Sequence, residues 1–136
     1  MSPRLPRTVL WVVAAFYAYG AAVHVLNILG LTGFQWAEAP LKWQVLDIAY
    51  LAVDGVVVAR LPAGARLGYW AFSGAATSQV VLYTVLRDWI LDVPEAFARS
   101  PQDLAYLDAL VVFHVVTLVL VMAAQRRLAR AQRTDP

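Results

Sequence analysis

Two histidines and a handful of carboxylates hold nearly all the chemistry this 136-residue chain can do. His24 and Asn27 stand with Tyr17 and Gly20 at intervals of three or four, which puts them on one face of a helix. Asp47, Tyr50 and Asp54 repeat that spacing, and so do Gln79, Tyr83 and Arg87. Asp103, Leu110, His114 and Thr117 share a further face, with Asp108 about 120° away from His114. Aspartate and histidine are the residues from which membrane pumps and transporters build proton paths. Two histidines on different helices are also the minimum for bis-axial ligation of a haem iron.

Other chemistries are excluded by absence. With no cysteine there is no thiol relay, no disulfide, no iron–sulfur cluster and no cysteine zinc site. The chain has no His-Glu-x-x-His pair, no Gly-x-Ser-x-Gly elbow and no phosphate loop. A formal net charge of +2 is too small to suggest a nucleic-acid partner.

The elements that must position these residues are four apolar stretches, roughly Thr8–Gly30, Trp43–Leu61, Leu67–Trp89 and Leu104–Gln125. Each has about the 20 residues a helix needs to cross the hydrocarbon core. Composition agrees: 61% of residues are apolar and 15% charged, against about 25% charged in soluble domains. The expected fold is an all-α membrane protein, one domain over residues 1–136, with four helices in an up-down-up-down bundle. The first stretch is too long for a signal peptide, whose apolar run is about 7–15 residues.

Basic residues set the orientation. With a cytoplasmic N-terminus, that side holds Arg4, Arg7, Arg60, Arg66, Arg126, Arg127, Arg130 and Arg133, and the other holds Lys42, Arg87 and Arg99. This distribution satisfies the positive-inside rule and returns the C-terminus to the cytoplasm. Trp11 and Trp70 mark one interface, and Trp36, Trp43 and Trp89 the other. Pro62-Ala63-Gly64 makes a tight inner turn, and Pro94 with Glu95 opens a short outer helix. High Ala, Arg and Val usage fits a bacterium with a GC-rich genome, so the expected location is its inner membrane.

On this placement the polar groups crowd into the outer half of the membrane, while the inner half is Val, Leu and Ala. That asymmetry predicts a polar pocket open to the outside above an apolar plug. An aspartate at a helix centre costs about 2.5–3.5 kcal/mol to insert, so Asp54 must face the bundle interior, with Gly55 allowing close helix approach. The candidate ligand-binding or proton-relay residues are His24, Asn27, Asp47, Asp54, Tyr83, Arg87 and His114.

Three functions fit. A non-catalytic membrane subunit, assembly factor or small-molecule or lipid-pocket protein needs the fewest coincidences, its polar residues setting packing and partner choice. A proton-coupled transporter would use Asp54 with His24 or His114 as relay and would require a homo-oligomer or larger membrane complex. A haem b protein would use His24 and His114, whose depths differ by about 6 Å, with Arg87 on a propionate. An intramembrane enzyme would need a constellation that His24, Asp47, Asp54, Asp108 and His114, scattered as they are, do not make.

Overall fold

A computed structural model describes residues 4–134, and among them every regular element is helical. The helices are α1 (Arg4–Ile28), α2 (Leu41–Arg60), α3 (Arg66–Tyr83), α4 (Arg87–Leu91) and α5 (Pro101–Thr134), with single 3-10 turns at Trp36–Glu38 and Glu95–Phe97. Residues 1–3 and 135–136 of the expected single domain lie outside the described range.

The chain stops its helices with recognisable chemistry. Gly30 ends α1 in the left-handed region at φ 70°, its N–H bonded to Asn27 O, while Leu31 N–H reaches back to Leu26 O at 2.8 Å. Gly64 repeats the arrangement after α2: φ 69°, Gly64 N–H to Leu61 O and Ala65 N–H to Arg60 O. Both are Schellman closures, which glycine favours because it carries no Cβ. At the start of α5, Ser100 N–H and Oγ–H both donate to Asp103 Oδ2, while Asp103 N–H faces Ser100 Oγ at 3.2 Å. This capping box, with Pro101 at the first helical position, starts the helix before the expected Leu104.

The third apolar stretch is not one helix. α3 ends at Tyr83, and a turn separates it from α4 within the expected Leu67–Trp89 span. Thr84 turns its hydroxyl back onto Val80 O at 2.6 Å, and Leu86 N–H bonds five residues back to Val81 O. A threonine that satisfies the carbonyl four residues earlier loosens the ladder there.

α1 packs against α2 and α5, and α3 packs against the same two, so α1 and α3 are diagonal. The 62–64 turn defines one end, and the 29–40 and 84–100 connections define the other. Toward the turn end the interior is dry: Leu10, Val13, Val57, Leu61, Phe72 and Val121 are all buried. Gly68 lets α3 enter tightly there, because a Cβ at that position would stand 2.7 Å from Leu61 Cα. Toward the loop end the same helix faces carry His24, Asp47 and Tyr83.

Two helices, α1 over Leu5–Ile28 and α5 over Pro101–Ala131, are long and apolar enough to cross a membrane. Only 22% of the most apolar window of each is buried, unlike the core helix of a soluble protein. Trp11, Val12, Val112, Val115, Val116, Val119 and Leu120 stand exposed instead. The expectation of four equivalent spans is met by these two alone. α2 is diluted by Lys42, Asp47, Asp54 and Arg60, and α3 has 18 residues that include Ser73, Thr77, Ser78 and Gln79.

Candidate functional site

His24 stands between two aspartates of the neighbouring helix. Its Nδ1–H donates to Asp47 Oδ1, and its Nε2 lies 3.8 Å from Asp54 Oδ2. Asp47 and Asp54 are seven residues apart on α2, two turns, so one face of α2 presents both to α1. The His24 ring lies parallel to that of Tyr50, with centroids 6.3 Å apart. Ser78 donates its hydroxyl to Ala75 O, so Tyr50 O–H must be the donor to Ser78 Oγ at 2.9 Å.

Two cavities meet at this group. The mouth cavity, about 350 Å³, is lined by His24, Asn27, Asp47, Trp43 and Phe34 among others. The deeper one, about 230 Å³, reaches Tyr17, Gly20, Asp54, Gln79 and His114. His24, Tyr50, Tyr83, Arg99 and Leu107 line both. Either volume far exceeds the roughly 10–15 Å³ that admits one water.

Three residues that line the deep cavity carry unpartnered polar atoms. Asp54 is 3% exposed, His114 1% and Tyr17 2%, yet Asp54 Oδ1, His114 Nε2 and Tyr17 Oη make no hydrogen bond with the protein. His114 Nδ1 sits 2.7 Å from Leu110 O, a carbonyl that can only accept, so Nδ1 carries the hydrogen. The neutral ring therefore presents a bare lone pair at Nε2. A buried polar atom left without a partner costs about 1–3 kcal/mol, and three of the residues lining this cavity carry one.

The rim is held by loops folded back over the helix ends. Lys42 Nζ donates to Asp92 O at 2.6 Å and to Trp89 O, and Trp43 Nε1–H donates to Ile90 O at 2.9 Å. Arg99 stacks over the Trp43 ring, its Cζ 4.3 Å from the centroid. Among the described residues no carboxylate forms an ion pair with Arg99.

Of the sequence candidates, His24, Asn27, Asp47 and Tyr83 line the mouth, and His24, Asp54, Tyr83 and His114 line the deep cavity. Arg87 lines neither: it pairs with Asp108, away from the cavities. The break at Thr84 takes Arg87 off the line that Gln79 and Tyr83 share. Gly55 makes no close approach, since nothing lies within 4 Å of a Cβ built there; the glycine that lies against Asp54 is Gly20. Sequence reasoning missed Arg99 and Trp43 as lining residues, and it placed Tyr17 on the correct face without making it a candidate.

Among the described residues no three His, Asp or Glu side chains group as a metal site. The histidines do not suit bis-axial haem ligation either. Both ring nitrogens of His24 face carboxylates, and Phe16, Tyr17 and Phe113 crowd the ring of His114 at centroid distances of 6.2, 6.1 and 5.3 Å. Compared with protein-family models, curated proteins and solved structures, the chain matches none.

Proposed function

We propose that this chain is a multi-pass membrane protein that binds a small polar molecule in a pocket opening to the outside of the cell. The observation that carries the reading is that Tyr17, Asp54 and His114, each with a buried polar atom lacking a hydrogen-bond partner, line one cavity. A ligand-sized volume lined by aromatic rings with a few aimed polar groups is the usual form of a binding site. The interhelical pairs His24–Asp47 and Tyr50–Ser78 would also serve a membrane subunit or assembly factor, whereas the unpartnered atoms of Tyr17, Asp54 and His114 favour the pocket.

The membrane setting is supported by the inverted distribution of side chains. Asp54, His114 and Thr117 are buried while Val112, Val116 and Val119 are exposed. In lipid, α2 and α3 would enter against α1 and α5, with Asp54 covered by α1. The turn end carries Arg60 and Arg66 and is joined by the arginine-rich end of α5, which supports a reading in which it faces the cytoplasm of a bacterial inner membrane. The cavities then open outward.

A second reading is favoured by the Asp47–His24–Asp54 series, which offers exchangeable protons from the mouth to the deep cavity. Proton-coupled transport would use that path. The apolar half around Leu10, Val57 and Phe72 closes it below, so transport would require that half to part.

The chain's lack of cysteine makes the test clean. A membrane-impermeant maleimide added outside intact cells should label Asn27→Cys and Gln79→Cys, and leave Gly64→Cys and Val121→Cys unlabelled. Labelling of Gly64→Cys with protection of Asn27→Cys would overturn the orientation. Protection of Gln79→Cys in a folded protein that labels at Asn27→Cys would overturn the deep pocket.

A further inference from the structure

We infer that the deep cavity takes a small primary ammonium, its N–H groups donating to acceptors among the Asp54, His114 and Tyr17 side chains that line it. The inference rests on the pocket reading and names its ligand class.

Donor and acceptor character decides it. Asp54 Oδ1 belongs to a carboxylate, which only accepts, and the Leu110 carbonyl fixes His114 Nε2 as an acceptor too. Tyr17 Oη can accept as well as donate. A partner for this wall must therefore bring donors, and an –NH₃⁺ group has three and no acceptor. A carboxylate or phosphate in the same place would meet bare lone pairs.

Charge points the same way. One imidazole serves two carboxylates, Asp47 and Asp54, so even a charged His24 leaves one negative charge unbalanced. Asp103 also lines the deep cavity, its Oδ2 taken up by Ser100. The cation lining it is Arg99, which is exposed and stacked on Trp43 of the mouth. The remaining wall includes Phe16, Tyr50, Tyr83 and Tyr106, whose ring faces attract cations. A volume of about 230 Å³ limits the ligand to a small organic amine, short of a lipid or a tetrapyrrole.

The test is calorimetric titration of the full chain in lipid nanodiscs with benzylamine, benzyl alcohol and benzoate at neutral pH. The three share a ring and differ in the group offered: an ammonium, a neutral hydroxyl and an anion. Benzylamine should bind about 10- to 100-fold more tightly than the other two, the range expected of charge-assisted hydrogen bonds. Asp54→Asn, which keeps the side-chain size, should abolish that preference. Equal binding of the alcohol or benzoate, or an unchanged preference in Asp54→Asn, overturns the ammonium assignment and leaves the pocket standing. Binding by none of the three also overturns the assignment, and the labelling of Gln79→Cys then decides the pocket separately.

Discussion

The Asp54 carboxylate lies against Gly20: a Cβ built on that glycine would stand 3.0 Å from Asp54 Oδ2. Gly20 is one turn before His24 on α1, so the same helix face that offers the imidazole also leaves room for the acid. α1 and α2 thus meet through a polar contact at this level, and through aliphatic side chains such as Leu10, Val13 and Val57 toward the turn end.

Gly20→Ala should shift Asp54 by a few tenths of an ångström and be tolerated, whereas Gly20→Val should not. The valine methyls would drive the carboxylate off α1 and into the deep cavity. The expected result is a near-normal midpoint of thermal unfolding in detergent for the alanine variant. For valine the loss should be about 1–3 kcal/mol, the usual cost of overpacking, together with lost benzylamine binding. Equal behaviour of the two variants would show that Asp54 has other room to move.

At Gly68 the neighbour is backbone, and there is no side chain to yield. A Cβ there meets the Arg60–Leu61 segment, with Leu61 Cα at 2.7 Å. Gly68→Ala should cost more than Gly20→Ala, at least about 1–3 kcal/mol, and lower the yield of folded protein. Gly74→Ala, on the same helix with nothing within 4 Å of the added carbon, is the control and should be neutral or slightly stabilising. Unfolding midpoints of the three variants in one detergent check the order.

How much of this was legible follows from which forces are local. The positions of α1, α2 and α5, the Pro62–Gly64 turn and the polar half of the bundle follow from spacing and hydropathy, which are properties of neighbours in sequence. The break after Tyr83 was hidden because Val85 and Leu86 continue the apolar run, and a hydroxyl bond to Val80 is what interrupts it. The exchange of Gly55 for Gly20 is a matter of helix rotation: each glycine sits one place from a polar residue, or one turn, and only packing says which faces the neighbour. Arg99 was invisible for a different reason. It lies in a connection whose legible signal is the short helix opened by Pro94 and Glu95, and its place at the rim depends on stacking over Trp43, 56 positions earlier in the chain.

Asp54→Leu separates insertion from function. Replacing an aspartate by leucine near the middle of a helix favours insertion by about 3–4 kcal/mol, so the isolated α2 segment should enter the membrane more readily in a glycosylation-reporter assay. The folded chain should keep the bond from His24 to Asp47 and lose amine binding. Retained binding would make Asp54 a packing residue and withdraw both the ammonium site and the proton path.

The two arginines of the 84–100 connection should behave differently, although composition treats them alike. Arg87 pairs with Asp108 outside the cavities, and an exposed pair of this kind contributes about 0–1 kcal/mol. Arg87→Ala should leave benzylamine affinity unchanged. Arg99 lines both cavities without a carboxylate pair, so it repels an entering cation. Removing it should tighten benzylamine binding about two- to fivefold at low salt, the equivalent of a screened surface interaction. The gain should shrink as salt is raised, because the charge is exposed and the Debye length falls. Benzoate affinity should move the other way or not at all. If Arg99→Ala instead weakens benzylamine, the guanidinium is serving to hold Trp43 in the wall. The stacking variant Arg99→Lys would identify that case, because it keeps the charge and loses the planar contact.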